Sequence, residues 1–227
     1  MNKKLVIFGT GKISEVISYF FERKSSYDIY AYTIDSKYKK SDTFNKKPII
    51  NFENLLDYCP PEEFDVFVAL GYQNLNQLRA KKYDEVKAKG YYCASYIDHN
   101  SNIPDDLIHG ENCFLMSNSL VHPKVKIGNN VFVWSGAIIG HHTKIEDNCW
   151  FTSGSNISGN VNIGKNSFFA INSTIANSLE IGENCFFGAN TLVTKCVNNN
   201  SVYIEPSSEK FRLDTEQFLK FSKFDRL

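Results

Sequence analysis

The sequence lacks an excess of either charge, a closely spaced cysteine pair and any long apolar run, and each absence removes a class of function. Its 25 basic and 25 acidic residues cancel, so no polyanion-binding surface is built in and nucleic acid is not an expected partner. No uninterrupted apolar stretch approaches the ~20 residues that a membrane-spanning helix needs. The opening MNKKLVIFGTG starts basic, but its apolar run breaks at Gly9 without a cleavage site, so it reads as a first strand rather than a signal peptide. The six cysteines contain no CxxC spacing, and no metal site is expected. Cys113, Cys149 and Cys185 recur at one structural position, which puts neighbours about 9–10 Å apart, too far for a disulfide. Reduced thiols in a cytoplasmic protein are the expectation.

What the chain does have is period. From Leu107 to Cys196 it divides into five 18-residue lengths without a gap, each made of three hexapeptides. The third residue of each hexapeptide forms an apolar column. These columns read His109, Ile127, Ile145, Ile163, Ile181; then Leu115, Val133, Phe151, Phe169, Phe187; then Val121, Ile139, Ile157, Ile175, Val193. A hexapeptide period held this long predicts a parallel β-helix of about five rungs. Position four of the first hexapeptide is Gly110, Gly128, Glu146, Gly164, Gly182, and position six is asparagine throughout. Both residue types tolerate positive φ, so the two columns are predicted to mark a turning corner with no chemistry of its own. His141 and His142 close the third hexapeptide of rung two and therefore also sit at a corner. His109 takes an inward slot at the first rung and is expected to cap the prism.

Residues 1–98 read differently. Strand-like runs at Lys4–Phe8, Ile29–Ile34, Ile49–Ile50, Asp65–Leu70 and Tyr91–Ile97 alternate with helical stretches at Ile13–Arg23, Phe52–Tyr58 and Leu75–Lys89. That alternation predicts a small Rossmann-like α/β domain of about four parallel strands. The expected organisation is a front domain over 1–98, a β-helix over 99–206, and a tail over 207–227, in which Asp214–Phe224 is either a short terminal helix or disordered. Gly9-Thr10-Gly11 precedes a helix whose first amides favour a pyrophosphate, and Asp35 ends the second strand, placed for a base or ribose. Gly71, Tyr72 and Gln73 follow a third strand at the same carboxyl edge. A GxG turn after a strand would equally suit NAD.

The prism resembles the left-handed β-helix acyltransferases; the handedness comes with that resemblance. With the α/β domain in front, residues 3–206 resemble the bacterial sugar O- and N-acyltransferase family. That family includes sialic acid O-acetyltransferases and the acetyltransferases of nucleotide-linked 4-amino-4,6-dideoxysugars. The segments that carry the likeness are VIFGTG (6–11), VALGYQNLNQLR (68–79), WSGAIIGHH (134–142) and SGNVNIG (158–164). The resemblance implies a homotrimer, a nucleotide-linked amino sugar held by the α/β domain, and acetyl-CoA in a groove between neighbouring prisms. It also implies that His141 is the catalytic base. His142 stands where the family often has an acidic residue, so His142 itself or another carboxylate is left to orient the base. Lys12 and Ile13 follow Gly11 where many members have Gly-His, and EPSSEK (205–210) replaces a Pro-Ala-Lys-like closure.

Acetyl transfer to an amine needs a proton acceptor and a donor for the oxyanion of the tetrahedral intermediate. Under the resemblance His141 supplies the first and the Gly159 amide the second. Ile171, Asn177 and Ala189 would line the pantetheine arm of coenzyme A, and Lys195 would meet a phosphate. Trp134 and the Phe-rich rungs would border the acyl group, and His99, His109 and His122 receive no role. The expected function is N-acetylation of a nucleotide-linked amino sugar for surface glycans such as O-antigen. An O-acetyltransferase of the sialic acid type, an NAD-dependent oxidoreductase and a non-catalytic trimeric scaffold stay open beside it.

Overall fold

A computed structural model describes residues 3–98 and 100–222. His99 and the last two residues of the Asp214–Phe224 stretch lie outside the described residues. The front domain begins with β1 (Lys3–Phe8), α1 (Lys12–Lys24), β2 (Tyr27–Ile34), β3 (Thr43–Phe44) and β4 (Lys47–Asn51). It continues through α2 (Leu55–Tyr58), β5 (Phe64–Val68) and α3 (Gln77–Ala88). The sheet order is β3-β4-β2-β1-β5, parallel except for the β3–β4 hairpin. Leu5, Val6 and Ile7 are fully buried because β1 is central and covered on both faces, which is why it reads as a continuous apolar run. One face packs Phe52, Leu55 and Val86 from the α2 and α3 side.

The other face carries α1 and, beyond it, one whole face of the prism. The second residues of the second hexapeptides, Phe114, Phe132, Trp150 and Phe168, point out of the prism and are buried. Phe114 meets Phe20 of α1 with ring centroids 5.7 Å apart, and Phe132 meets Phe67 of β5 at 5.8 Å. At roughly 1.5–3 kcal/mol per buried large apolar side chain, this column contributes substantially to docking the two parts.

The predicted strand Tyr91–Ile97 is divided between them. Only Cys93 reaches the front sheet, by a bridge to Val66, whereas β6 (Tyr96–Ile97) pairs with Phe114–Leu115 of the prism. The physical reason is the edge of β5. Past Val66 its hydrogen bonds are taken by a side chain: the Val68 N–H donates to Asn112 Oδ1 at 2.7 Å and Asn112 Nδ2 donates back to the Val68 carbonyl at 3.3 Å. A second strand has no partner left there.

The prism has three parallel sheets, one per hexapeptide position, and every third-position residue from Leu115 to Val193 is buried. Phe151, Phe169 and Phe187 stack at 4.6 and 4.8 Å. Beyond five complete rungs, β6 and Asn102 add a partial turn at one end, and Val197 with Val202–Tyr203 adds one at the other. The two corner columns have different causes. The asparagines do adopt the left-handed region, with φ of 55 to 65° from Asn112 to Asn184. The glycines do not; at Gly110 an added Cβ would lie 2.7 Å from the Asn129 amide nitrogen of the next rung. Glycine is there for close approach, which corrects the expectation from sequence. Helix α4 (Thr215–Ser222) follows with no buried residue. Among the described residues no helix is long and apolar enough to cross a membrane.

Candidate functional site

Two groups of candidate residues form, on different sides of the molecule. The first lies where β1 and β5 end side by side. The chain passes from β1 to β2 on one side and returns to β5 on the other, so this crevice is the topological switch point at which open α/β sheets take ligands. Gly9 has φ +125°, and a Cβ there would lie 2.9 Å from the Ala69 carbonyl. The Ser14 hydroxyl donates to the Gly9 carbonyl at 2.8 Å and ties the turn to α1. Gly11 is the N-cap of α1 and brings no side chain to its amides, leaving them to a ligand beside Thr10. Gly71 is buried beneath the Gln73 amide, and Tyr72 is 53 % exposed with its ring 4.8 Å from Phe168.

Asp35 sits at the end of β2 as expected, but its carboxylate pairs with Lys82 of α3 at 2.7 Å. Lys82 also bonds Glu85 at 2.6 Å. Burial pulls the Lys82 amine down, and the hydrogen bonds and charges of Asp35 and Glu85 outweigh it, so its pKa is raised overall.

The second group is at the corner between the third and first prism faces. His142 has φ +60°, which turns its ring back toward its neighbour, and the two Nδ1 atoms of His141 and His142 lie 3.1 Å apart. The His141 ring covers Gly159 of the next rung; a Cβ at 159 would sit 2.6 Å from Cε1 and 2.7 Å from Nε2. The His141 carbonyl accepts the Asn160 N–H at 2.7 Å, stitching the two rungs together. Asn177 and Lys195 follow in the same column, about 10 and 14 Å along at one rung per ~4.8 Å. Ile171 and Ala189 close second hexapeptides instead, so they line the neighbouring corner. His122 comes to 6.5 Å from His141, ring to ring.

Within one chain these groups are not brought together. The front domain covers the second face, and His141 stands at the corner opposite to it. Sequence reading missed what joins the halves. Arg79, the last residue of the VALGYQNLNQLR segment, is fully buried between them. No local signal marks it, because α3 carries five other charged residues, Lys81, Lys82, Asp84, Glu85 and Lys87. An asparagine ladder runs beside it, with Nδ2 of residues 112, 130, 148 and 166 each donating to Oδ1 one rung on at 2.8–3.1 Å.

Comparison with known proteins agrees with this two-part architecture. The PglD N-terminal domain family matches residues 4–86. The bacterial transferase hexapeptide family (six repeats) matches residues 106–141 and 160–195. No curated protein matches the chain. Among solved structures, the acetyltransferase domain of PglB from Neisseria gonorrhoeae FA1090 in complex with acetyl coenzyme A is 21% identical, with a TM-score of 0.78 over 92% of this chain and 100% of that one. WeeI from Acinetobacter baumannii AYE is 19% identical, with a TM-score of 0.75 over 91% and 99%. A mutant of perosamine N-acetyltransferase from Caulobacter crescentus, in complex with CoA and GDP-perosamine, is 16% identical, with a TM-score of 0.72 over 89% and 93%.

Proposed function

We propose, from the premise that the chain belongs to the left-handed β-helix hexapeptide-repeat family with a PglD-type N-terminal domain, that it N-acetylates a nucleotide-linked 4-amino-4,6-dideoxysugar with acetyl-CoA as donor. The observation that carries this reading is the His141 ring lying over Gly159 with its Nδ1 against His142. One proton serves the two Nδ1 atoms. When His141 holds it and donates to His142, the His141 Nε2 lone pair is free to act as a base.

The sugar amine attacks the thioester carbonyl, and His141 Nε2 takes the proton from its nitrogen. The Gly159 N–H, which no hydrogen bond among the described residues uses, faces the oxyanion. Collapse of the tetrahedral intermediate breaks the carbon–sulfur bond, and the proton passes from His141 to the departing coenzyme A thiolate. Base assistance of this kind is worth about 10²–10⁴-fold in rate. His142 supplies no negative charge to stabilise an imidazolium, which favours an amine acceptor over a hydroxyl.

The nucleotide end belongs at the switch-point crevice, its diphosphate on the Thr10 and Gly11 amides and the first amides of α1, with Asp35 and Tyr72–Gln73 at its borders. Because that crevice and His141 lie on different sides of one chain, a reaction centre needs a second copy, and a homotrimer supplies it. The third prism face, with Leu120, Ile138, Asn156, Thr174 and Leu192 outward, suits such packing better than the first, with Ile108, Lys126, Lys144, Asn162 and Glu180. Ile171 and Ala189 of one copy and Asn177 and Lys195 of the next would then flank coenzyme A. Both co-substrates are cytoplasmic, and the product is a glycan building block.

Thiol release from acetyl-CoA against dTDP-, UDP- and GDP-linked 4-amino sugars, with sialic acid as a hydroxyl acceptor, tests the reading. Turnover of one amino sugar, lost in His141→Asn with coenzyme A binding intact, is the expected result. Turnover of the hydroxyl acceptor alone would replace it with O-acetylation.

A further inference from the structure

Arg79 is fully buried, and among the described residues no carboxylate pairs with it. A buried cation without a counter-ion is costly, and the fold meets that cost with oxygen acceptors drawn from two bodies. On the prism, Arg79 Nε donates to Asn130 Oδ1 at 3.0 Å, and Nη2 donates to the carbonyls of Asn130 and Asn148 at 3.1 and 3.0 Å. On the loop after β5, Nη1 donates to Asn76 Oδ1 at 3.0 Å and to the Gly71 carbonyl at 3.5 Å. The guanidinium lies 4.5 and 5.0 Å from the ring centres of Phe132 and Trp150. Only a planar fork reaches this set; an ammonium does not.

The loop is the second observation. Asn74, Leu75 and Asn76 have φ of 50, 51 and 66°. Asparagine tolerates that region, but leucine is strained in it. Such strain persists only where surrounding structure over-determines the backbone. Here the prism does so: Asn76 Nδ2 donates to the Asn166 and Ser167 carbonyls at 3.2 and 3.4 Å. It also explains why α3 starts at Gln77 rather than at the predicted Leu75.

We infer that Arg79, with Asn76, is a positioning residue that clamps the Gly71–Gln73 turn onto the β-helix, so that the prism shapes the nucleotide crevice of the domain docked on it. The inference rests on the reading of that crevice as the nucleotide site. A turn already held in place spares the ligand the cost of ordering it, so the clamp acts on acceptor affinity and leaves coenzyme A alone.

The test uses the full-length chain with Arg79→Lys and with Asn76→Gly, the latter keeping the left-handed backbone accessible while deleting the amide. Hydrogen exchange over residues 70–77 is followed, and dTDP, UDP, GDP and coenzyme A are titrated separately. The expected result is faster exchange confined to 70–77 and about tenfold weaker binding of whichever nucleotide the wild type takes, a loss equivalent to about 1.4 kcal/mol, with coenzyme A affinity unchanged. Unchanged exchange overturns the clamp. So does a loosened loop with undiminished nucleotide affinity, or an equal loss of both ligands, which marks general damage. If the wild type takes none of the three nucleotides, the nucleotide reading itself has failed and the clamp loses its purpose with it, whatever the loop does.

Discussion

The two halves of the molecule solve the same problem, placing polar groups where chemistry needs them, by opposite means. In the prism, position follows from arithmetic: a residue's place in its hexapeptide decides whether it points inward, stacks on a neighbour or turns a corner. His141 meets Gly159 because they are 18 residues apart. In the front domain, position follows from long-range packing. Gly9 meets Ala69 because β1 and β5 pair in register, Ile7 beside Phe67 and Phe8 beside Val68. A repeat tolerates local change, since each rung needs only its neighbours, whereas a switch-point crevice depends on every strand that frames it.

The comparison can be broken most severely at the prism corner. His141→Asn should lower acetyl transfer by about 10²–10⁴-fold without shifting the thermal midpoint. Gly159→Ala, whose methyl would meet the His141 ring, should lose much of the same rate while coenzyme A binding survives; a normal rate would remove the ring–glycine contact from the mechanism. At the junction, Trp150→Ala should cost about 3–5 kcal/mol and separate the cooperative unit. Calorimetry should then resolve a front-domain transition below that of the prism, and a single unshifted transition would deny that the aromatic column couples the halves.

Within the front domain, Gly9→Ala forces a side chain into φ +125° against the Ala69 carbonyl, a strain on the order of 1–3 kcal/mol. Denaturant titration should show that loss, with nucleotide binding falling and prism chemistry spared.

The smallest effect is expected at Asp98, which joins Lys24 of α1 to Tyr96 of β6 at 3.3 and 2.8 Å. Burial raises its carboxyl pKa, but the Asn100 N–H, the Tyr96 hydroxyl and Lys24 outweigh it and hold the pKa below the usual carboxylate value. A depressed carboxyl stabilises the fold above its unfolded pKa near ~4, and that contribution is lost as pH falls through the lower folded value. Asp98→Asn should therefore flatten the acid limb of the stability profile; an unchanged limb would assign it to other carboxylates.

How much was legible in the sequence follows the same division. The inward columns could be read because burial repeats with the period, and so could the histidine corner. The glycine column was read for the wrong reason, since a sequence shows a small residue but not the rung beneath it. The outward aromatics of the second hexapeptides were equally periodic, and they pass unnoticed if only the third positions are scanned. In the front domain the strands were visible as apolar runs, but the fate of Tyr91–Ile97 was not. It depends on the Asn112 side chain occupying the edge of β5, a contact 44 residues apart in sequence. Arg79 was hidden for the same reason: its partners come from two rungs and a loop, and no local pattern announces a buried fork.

The asparagine ladder has one more consequence, concerning how such a chain can grow. Its amides all point the same way, each nitrogen to the oxygen one rung on. A copied 18-residue unit inserted anywhere would therefore find a donor on one side and an acceptor on the other. Duplication of a turn would lengthen the rod without leaving an orphaned amide at either seam, whereas the clasp at Val68 fixes where the rod begins. Heredity can edit this molecule from its far end.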